Sequence, residues 1–533
     1  TIMLAKEFIL GLLTVTPALV EAMLPIHIKN YRFIQPSTPD NDPKQNKAFY
    51  VKGIDYQPGG SSGYDSANKH DILSDPDICA RDAYAFQQLG INTIRIYSVN
   101  PDLNHDKCMT ILNDAGIYVI LDVNSGNYGE NLNRADPSGS YDALYLSRVF
   151  KMIDAFKNYP NLLWFFSGNE VINDQANYAE IVPPYMRAVQ RDMRQYIAKH
   201  SNRSIPVGYS AADNTDLRLA TFKYLQCNSL DGKKVDHALN ESRSDFFGLN
   251  SYEWCSGTSD WKSSGFDKLN STFSDAVIPL IFSEYGCNKN LPRTFDEVTD
   301  AVYPDNGLGK VFSGGLVYEY AEEANKFGLV NLNNTDKSLS YKKDFVNLKD
   351  RFSKVKTNNT IEAKLSNNTI YKCDKNAILK IYKNFGVANF TIPDQPKEIA
   401  DMIKNGVKGD NVGKLLPANN YTVPTSVKYT IKDQNGKTIK ATIKYDKNNT
   451  INELKNKTSS VTSSSSHKST TTTSKKVSST KKVEKKDINV TSVDDGSSTT
   501  LKSSKSKGDA AMIDFSTSFI QSGIFAVIIN ALL

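Results

Sequence analysis

The chain has few of the residues that bind metal ions. Its 533 residues include only six cysteines and six histidines, and no two cysteines form a CxxC pair. Structural zinc sites are built from closely spaced Cys and His ligands. The sequence therefore predicts no zinc site, and nothing else in it implies a metal or an organic cofactor. In an oxidising compartment six cysteines favour three disulfides, with buried free thiols as the alternative.

Signals for nucleotide and nucleic-acid binding are also missing. The glycine-rich stretch GIDYQPGGSSGY contains neither GxGxxG nor GKS, so we interpret it as a loop and not as a phosphate-binding turn. The formal net charge is +6, but residues 457–507 alone hold eleven lysines against four acidic residues. The remainder of the chain is close to neutral. We therefore expect no nucleic-acid partner, which would need clustered arginines and stacking aromatics.

Two apolar segments indicate targeting signals. After Lys6, the run FILGLLTV and the small residues near Ala22 predict a secretory signal peptide over residues 1–22, with a buried helix as the alternative. Residues 519–533 are apolar and uncharged, and they follow small residues and a polar spacer, an order typical of a GPI-attachment signal. We expect the lipid on Asp509, or alternatively on Gly508, and removal of residues 510–533. A true membrane helix is the alternative.

The segment before this signal, residues 456–509, consists largely of Ser, Thr and Lys. Such a composition cannot bury a core, and it predicts a disordered, O-glycosylated stalk. Eleven Asn-X-Ser/Thr sequons along the chain fit a secreted glycoprotein. These features predict a lipid-anchored protein outside the cell.

From Ala48 to about Tyr320 the chain repeats one pattern, a short apolar run that ends in polar or aromatic residues. Helical patterns separate most of these runs, for example ICARDAYAFQQLG. Eight strands that alternate with helices over about 270 residues predict an α/β fold, the (β/α)8 TIM barrel. A doubly wound open sheet is the alternative. The runs are AFYVKGIDYQ, INTIRIYSV, IYVILDVN, LLWFFSGNE, IPVGYSA, DFFGLNSYEW, IPLIFSEYG and GGLVYEY.

The barrel is assigned to residues 23–341, and a Lys- and Asn-rich extension to residues 342–455. Within the extension, IPDQPKEIADMIKNGV predicts a short helix. The alternating runs on either side of Asn435-Gly436 predict a β-hairpin.

The predicted strand ends bring two glutamates into one place. Catalytic side chains of TIM barrels lie at the C-terminal strand ends, where Glu170 follows the fourth run and Glu284 lies in the seventh. Two carboxylates surrounded by Tyr and Trp are what glycoside cleavage requires, because one protonates the leaving oxygen and the other attacks the anomeric carbon. We expect Asn169 to bind the sugar 2-hydroxyl. Taken alone, Glu170 could equally form a structural salt bridge.

Two further polar residues lie on these strands. Asp122 could contact the sugar directly or anchor a neighbouring side chain. Arg95 lies inside a strand, and we expect it to pair with a carboxylate and orient the nucleophile.

Several long motifs resemble those of the GPI-anchored fungal β-1,3-glucanosyltransferases, glycoside hydrolase family seventy-two. They are GIDYQPGGSS, RIYSVNP, LDVNSGNYGENLNR, FFSGNEVIN, FSEYGCN, PRTFDEV and FSGGLVYEY, and the resemblance covers about residues 29–380. It implies that Glu170 is the acid/base and Glu284 the nucleophile. The substrate contacts and cleft positions that it implies are Gln57, Tyr97, Asp122, Asn124, Asn127, Tyr128, Glu130, Asn131, Leu132, Asn169, Asp213, Arg218, Tyr252 and Tyr318.

The resemblance also implies the disulfides Cys79–Cys108, Cys227–Cys373 and Cys255–Cys287, the second of which would tie the extension to the barrel. No cysteine follows Cys373, so the chain resembles the subgroup without a cysteine-rich carbohydrate-binding module. The implied function is a monomeric retaining transglycosylase of the cell wall that acts on β-1,3-glucan donor and acceptor chains. An endo-β-1,3-glucanase and a non-catalytic glucan-binding wall protein are the alternatives.

Overall fold

The computed structural model describes residues 23–60, 63–409 and 411–445. The predicted signal peptide, stalk and lipid-attachment segment lie outside the described residues, so those expectations remain predictions.

A small antiparallel sheet closes one end of the barrel. Its strands are β1 (His27–Lys29), β2 (Arg32–Gln35) and β3 (Lys47–Phe49). Phe33 stacks on Trp164 with ring centroids 4.2 Å apart and meets the edge of Phe246. Because Trp164 and Phe246 lie near the starts of barrel strands, this sheet covers the N-terminal end of the barrel, opposite to the C-terminal strand ends. The sequence patterns did not predict it, and they merged β3 with the first barrel strand.

Eight parallel strands form a closed barrel, in which the last strand pairs with the first. Each predicted apolar run supplies one strand of the barrel, which confirms the prediction of a TIM barrel. The strands are nearly continuous apolar runs because helices cover the outer face and packed side chains fill the interior. They are β4 (Val51–Asp55), β5 (Thr93–Ile96), β6 (Tyr118–Asp122), β7 (Leu162–Asn169), β8 (Val207–Ala211), β9 (Phe246–Ser251), β10 (Leu280–Tyr285) and β11 (Phe312–Val317).

Helices surround the barrel, and their ends follow capping rules. In the first helix, Asp75 accepts hydrogen bonds from the amides of Asp77 and Ile78, and the helix ends at Gly90 with φ +72°. The helices are α1 (Pro76–Leu89), α2 (Asp106–Asp114), α3 (Pro137–Ser140), α4 (Ala143–Phe156), α5 (Tyr178–Ile181), α6 (Pro183–His200), α7 (Thr215–Gln226), α8 (His237–Ser242), α9 (Phe266–Thr272), α10 (Lys343–Lys354), α11 (Lys375–Ile381) and α12 (Lys397–Asn405). None of the helices in the described ranges is long and apolar enough to cross a bilayer.

Shorter helical turns complete the helical elements of the described chain. They are a π-helical turn at Val298–Val302 and 3₁₀ turns at Leu308–Lys310, Glu362–Lys364 and Ala388–Phe390.

The C-terminal extension runs around the outside of the barrel. The predicted short helix is α12, which packs against α4 and α6. The Asn411 amide then donates to the carbonyl of Pro101 at 2.7 Å, beside α2. The predicted hairpin is present as β14 (Ile431–Lys432) and β15 (Thr438–Ile439), and it turns at Gly436 with φ +81°. It extends a sheet begun by β12 (Val330–Leu332) and β13 (Leu339–Tyr341).

Three disulfides connect these elements, and all three pairings implied by the resemblance are confirmed. Cys79–Cys108 joins α1 to α2, and Cys255–Cys287 joins the loops that follow β9 and β10. Cys227, at the end of α7, bonds to Cys373 across a separation of 146 residues. The extension is therefore covalently attached to the barrel.

Replacing both Cys227 and Cys373 by Ser should lower the free energy of unfolding by about 2–4 kcal/mol, because the unfolded chain gains the entropy of a long open loop. Urea denaturation would measure this loss. Since Cys79 and Cys108 are only 29 residues apart, the matched double Ser variant should lose about 1 kcal/mol less. Equal stability of the wild type and the Cys227/Cys373 variant would contradict the expectation.

Candidate active site

The barrel brings Glu170 and Glu284 to the same end of the strands. Glu170 directly follows β7, the fourth barrel strand, and has a left-handed backbone with φ +51°. Glu284 lies in β10, the seventh barrel strand, at a position opposite Asn250 of β9. Nδ2 of Asn250 donates to Oε1 of Glu170 at 2.7 Å, so the two glutamates lie close together at the strand ends.

The Glu284 carboxyl is held by three side chains. The Tyr97 hydroxyl donates to Oε1 at 2.8 Å, and the Tyr252 hydroxyl donates to Oε2 at 2.7 Å. Nη1 of Arg95 is 3.5 Å from Oε1. With a donor on each oxygen, the carboxylate has one orientation and both of its negative oxygens are stabilised.

Two opposing effects determine the acidity of Glu284. Burial raises its pKa to about 7, and the negative charge of Glu170 adds to this rise. Arg95 and the hydrogen bonds from Tyr252 and Tyr97 lower the pKa, because they favour the charged carboxylate. These three partners therefore extend the pH range in which Glu284 is ionised.

Tyr252→Phe removes one of these donors. We expect the pKa of Glu284 to rise, so the acidic limb of the pH profile of kcat/KM should move to higher pH by about 0.5–1 unit. The matched control is Tyr118→Phe, because the Tyr118 hydroxyl donates to the Leu24 carbonyl at the opposite end of the barrel. An unchanged acidic limb in Tyr252→Phe would contradict the assignment of this hydrogen bond.

Glu170 is oriented by Asn250, to which the sequence patterns gave a strand-end position but no role. Nδ2 of Asn250 donates to Oε1 of Glu170 at 2.7 Å. The Asn250 amide is itself oriented, because its Oδ1 accepts from the Ser283 hydroxyl at 2.8 Å and lies 3.1 Å from Oγ of Ser210. All three residues are buried near the C-terminal ends of their strands. Their position close to the end of an apolar run is the only signal that the sequence carried for them.

Asn169 belongs to the same network. Its Oδ1 accepts from the Ser210 hydroxyl at 2.7 Å and from Nη2 of Arg95 at 3.2 Å. Within the described ranges, Nδ2 of Asn169 donates no hydrogen bond to the protein. The amide NH₂ is therefore the part of Asn169 that can bind a sugar hydroxyl.

Arg95 and Asp122 form a buried ion pair inside the barrel. Nε and Nη2 of Arg95 donate to the two oxygens of Asp122 at 2.9 and 2.8 Å, and both residues are almost fully buried. This geometry favours the anchoring interpretation of Asp122 over direct sugar contact. The prediction that Arg95 pairs with a carboxylate and approaches the candidate nucleophile agrees with the structure.

Asp213 and Arg218 position the backbone of Tyr252. Oδ2 of Asp213 accepts from the Tyr252 amide at 3.0 Å, and Arg218 donates to Oδ1 at 3.0 Å. Arg218 also lies 2.9 Å from Glu253, which the sequence analysis did not single out. Burial raises the pKa of Asp213 to about 8, and repulsion from Glu253 adds to the rise.

The loop after β6 contains six of the sugar-contact candidates. Asn124 donates to the Ser167 carbonyl at 3.0 Å, and Glu130 lies 3.3 Å from Arg148. The amide of Asn131 donates to the Asn127 carbonyl at 3.0 Å and stabilises the loop. Two members differ in exposure: Tyr128 is 97% exposed, whereas Leu132 is 4% exposed and packs in the apolar core. A sugar contact by Leu132 would have to use its backbone.

Gln57 and Tyr318 follow β4 and β11, the first and last barrel strands, which pair with each other. Oε1 of Gln57 accepts from the amides of Tyr97 and Ser98 at 3.2 and 3.0 Å, which fixes the position of Tyr97. The Tyr318 ring contacts the Tyr252 ring edge-on, with centroids 6.4 Å apart. Within the described part of the chain, no group of three or more His, Cys, Asp or Glu side chains is arranged to hold a metal ion.

An eight-stranded barrel with two glutamates close together among tyrosines at its strand ends is the arrangement of barrel enzymes that cleave glycosidic bonds. Comparison with known proteins specifies the class further. The family model described as "Glucanosyltransferase" matches residues 15–356. The chain belongs to this family, glycoside hydrolase family seventy-two.

Named relatives and solved structures agree with the family. The chain is 70% identical to the probable 1,3-beta-glucanosyltransferase GAS3 of Saccharomyces cerevisiae. The alignment extends over 451 residues and covers 85% of each chain. It is 46% identical to the 1,3-beta-glucanosyltransferase gel2 of Aspergillus fumigatus, over 78% of this chain and 82% of that protein. A mutant of Gas2p of S. cerevisiae, solved in complex with laminaritetraose and laminaripentaose, matches with a TM-score of 0.58 at 34% identity, over 70% of this chain and 75% of that one.

Proposed function

We propose that this protein is a retaining β-1,3-glucanosyltransferase, which cleaves β-1,3-glucan internally and transfers the new end to the non-reducing end of another β-1,3-glucan chain. The observation that carries the proposal is the Glu284 carboxyl, held by Tyr97 and Tyr252 and close to Glu170, to which Asn250 donates. The names of the relatives and the laminari-oligosaccharides bound to the Gas2p mutant support the substrate class.

In the first step, an ionised oxygen of Glu284 attacks the anomeric carbon while the bond from that carbon to the glycosidic oxygen breaks. Glu170 gives its proton to the departing oxygen, and the reducing-end fragment leaves. The products are a glycosyl ester on Glu284 and an ionised Glu170. The Tyr97 and Tyr252 donors and Arg95 keep Glu284 ionised and oriented for this attack.

In the second step, the 3-hydroxyl of a second glucan attacks the same carbon. Glu170 accepts the proton of that hydroxyl, the ester bond breaks, and Glu284 regains its negative charge. Two inversions at one carbon give net retention. Asn250 holds the Glu170 carboxyl during both proton transfers, and the NH₂ of Asn169 is in a position to bind the sugar 2-hydroxyl as positive charge develops.

Product analysis with a reduced laminari-oligosaccharide of defined length tests the reaction. Transfer yields oligosaccharides longer than the substrate from the first minutes onward, together with the released fragment. An endo-β-1,3-glucanase yields only shorter products, and a glucan-binding wall protein yields none. Either of the last two results, with folded wild-type protein, would overturn the proposal.

The chemistry fits a location outside the cell, where the wall glucan is assembled. Residues 508–533 have the order of a GPI-attachment signal, so a lipid on Asp509 would hold a monomeric barrel at the extracellular face of the plasma membrane and in the cell wall. Phosphatidylinositol-specific phospholipase C should release the protein from intact cells. Retention in the membrane, with recovery of a peptide from residues 519–533, would contradict the lipid anchor.

A further inference from the structure

Ser283 lies at a register shift of β10, directly before Glu284. In the pairing of β10 with β9, Phe282 lies opposite Leu249. The next paired residue is Glu284, opposite Asn250, so Ser283 is an extra residue on β10. Successive side chains of a regular strand point to opposite faces of the sheet, and an extra residue interrupts this alternation. Two consecutive side chains can therefore face the barrel interior.

The contacts of Ser283 place its hydroxyl inside the barrel. The hydroxyl donates to Oδ1 of Asn250 at 2.8 Å, and its Oγ lies 2.8 Å from Oγ of Ser210. The Ser283 carbonyl accepts from Nη1 of Arg95 at 3.2 Å, and the same nitrogen lies 3.5 Å from the Glu284 carboxyl. Ser283 is fully buried, so it acts on the site without touching a sugar.

Gly248 of β9 leaves the space that the Ser283 side chain occupies. A Cβ atom at position 248 would lie 2.7 Å from Oγ and 2.8 Å from Cβ of Ser283. Both distances are too short for a real contact, so no larger residue fits at position 248 while Ser283 keeps its place. The serine is thus positioned by its own strand and by a glycine on the neighbouring strand.

A count of hydroxyl hydrogens shows which serine orients Asn250. Ser210 and Ser283 carry one hydroxyl hydrogen each. Oγ of Ser210 lies 2.7 Å from Oδ1 of Asn169 and 3.1 Å from Oδ1 of Asn250, so its hydrogen goes to Asn169. Oδ1 of Asn250 therefore receives its hydrogen bond from Ser283.

The hydrogen bond from Ser283 determines which atom of the Asn250 amide faces Glu170. A half-turn of a side-chain amide exchanges its oxygen and its NH₂, which have opposite hydrogen-bonding roles. With Oδ1 held by Ser283, Nδ2 points to Oε1 of Glu170 and donates to it at 2.7 Å. Because Oε1 accepts this hydrogen, a protonated Glu170 carries its own hydrogen on Oε2.

We propose that Ser283 is a positioning residue for the acid/base: its hydroxyl holds the Asn250 amide with the NH₂ toward Glu170 and thereby keeps the acid proton on Oε2. This inference rests on the proposed role of Glu170. In the first step the proton on Oε2 passes to the glycosidic oxygen, which takes the electron pair of the broken bond to the anomeric carbon. Without the Ser283 hydroxyl the amide can turn, and its oxygen then binds the proton that the leaving group needs.

The leaving group of the substrate separates this role from a purely structural one. Ser283→Ala should lower kcat for laminari-oligosaccharide cleavage about tenfold at unchanged KM, because a departing sugar oxygen needs the proton of Glu170. An aryl β-laminaribioside has a leaving group that needs no protonation. With it, the rate of glycosyl-ester formation, measured by stopped-flow release of the aryl alcohol, should stay within about twofold of the wild type.

Two further variants accompany Ser283→Ala. The matched control is Ser313→Ala, because Ser313 is a fully buried serine of β11 that accepts from Arg32 at 3.1 Å, at the N-terminal end of the barrel. It should change neither reaction. Gly248→Ala must displace the Ser283 hydroxyl, so it should show the same selective loss. Circular dichroism identifies a variant that does not fold, and Gly248→Ala decides the question if Ser283→Ala fails.

Equal losses with both substrates in folded Ser283→Ala would overturn the proposal, because the effect would then lie on Glu284 or on the fold. Full activity with both substrates would overturn it as well. A Glu170→Gln background provides a double-mutant cycle. There, Ser283→Ala should cause no further loss of ester formation from the aryl substrate, and a further loss would show that Ser283 does not act through Glu170.

The outcomes for Ser283 and for the proposed function are distinct. Full oligosaccharide turnover in Glu170→Gln would overturn the acid/base role itself, independently of the Ser283 variants. Products that are only shorter than the substrate would overturn the transfer reaction but not the role of Ser283, because hydrolysis needs the same acid. With an active wild type and an inactive Glu170→Gln, the comparison of leaving groups tests Ser283 alone.

Discussion

Glu284→Gln and Glu170→Gln should each lower the turnover of laminari-oligosaccharides by at least about 10³-fold while the barrel stays folded. Glutamine has nearly the same shape as glutamate, but it is a poor nucleophile and cannot exchange a proton with the glycosidic oxygen. Because Tyr97, Tyr252 and Asn250 can rearrange their hydrogen bonds around an amide, we expect little change in thermal stability.

The two variants should differ with an activated substrate. An aryl β-laminaribioside has a leaving group that needs no protonation. With this substrate Glu170→Gln should form the glycosyl ester, whereas Glu284→Gln should not. Stopped-flow release of the aryl alcohol measures this step. The matched control is Glu297→Gln, a buried glutamate that hydrogen-bonds Ser256 outside the pair and should keep its turnover. Substantial oligosaccharide transfer by either folded variant would falsify the assignment of the two roles.

Arg95→Met should be the most damaging substitution of a residue that does not touch the sugar. It leaves Asp122 buried without its two hydrogen bonds, a change that costs about 3–5 kcal/mol of stability. It also removes the cation beside Glu284, so the pKa of Glu284 should rise and turnover at neutral pH should fall. Thermal melts and pH profiles on the folded fraction measure the two effects separately.

A second buried arginine provides the control for Arg95. Arg187 is also fully buried, but it donates to the carbonyls of Leu239 and Cys227 and to the Ser242 hydroxyl, and it forms no ion pair with a carboxylate of the described residues. Arg187→Met should therefore lower stability and leave the pH profile unchanged. If both variants lose stability and neither shifts the pH profile, Arg95 has only a structural role.

The sequence by itself determined the barrel. Its eight strands are buried on both faces, which produces apolar runs that are visible one after another, and helical periodicity separates them. The C-terminal hairpin was equally visible, because Asn435-Gly436 is a turn signal, and Gly436 adopts the positive φ of +81° that the loop requires. These features depend on residues close together in the chain, so a linear pattern records them.

The tertiary structure decided which polar groups meet inside the barrel. Ser210, Asn250 and Ser283 each lie near the C-terminal end of a strand, but only closure of the barrel places them in one hydrogen-bond network that reaches Glu170 and Asn169. The N-terminal sheet was missed for a similar reason, since β1 to β3 are short and owe their position to Phe33 packing on Trp164. The raised pKa of Glu284 gave no signal either, because it depends on burial and on the charges of Arg95 and Glu170, which belong to other strands. Electrostatic coupling acts through space, and the linear order of residues does not contain those distances.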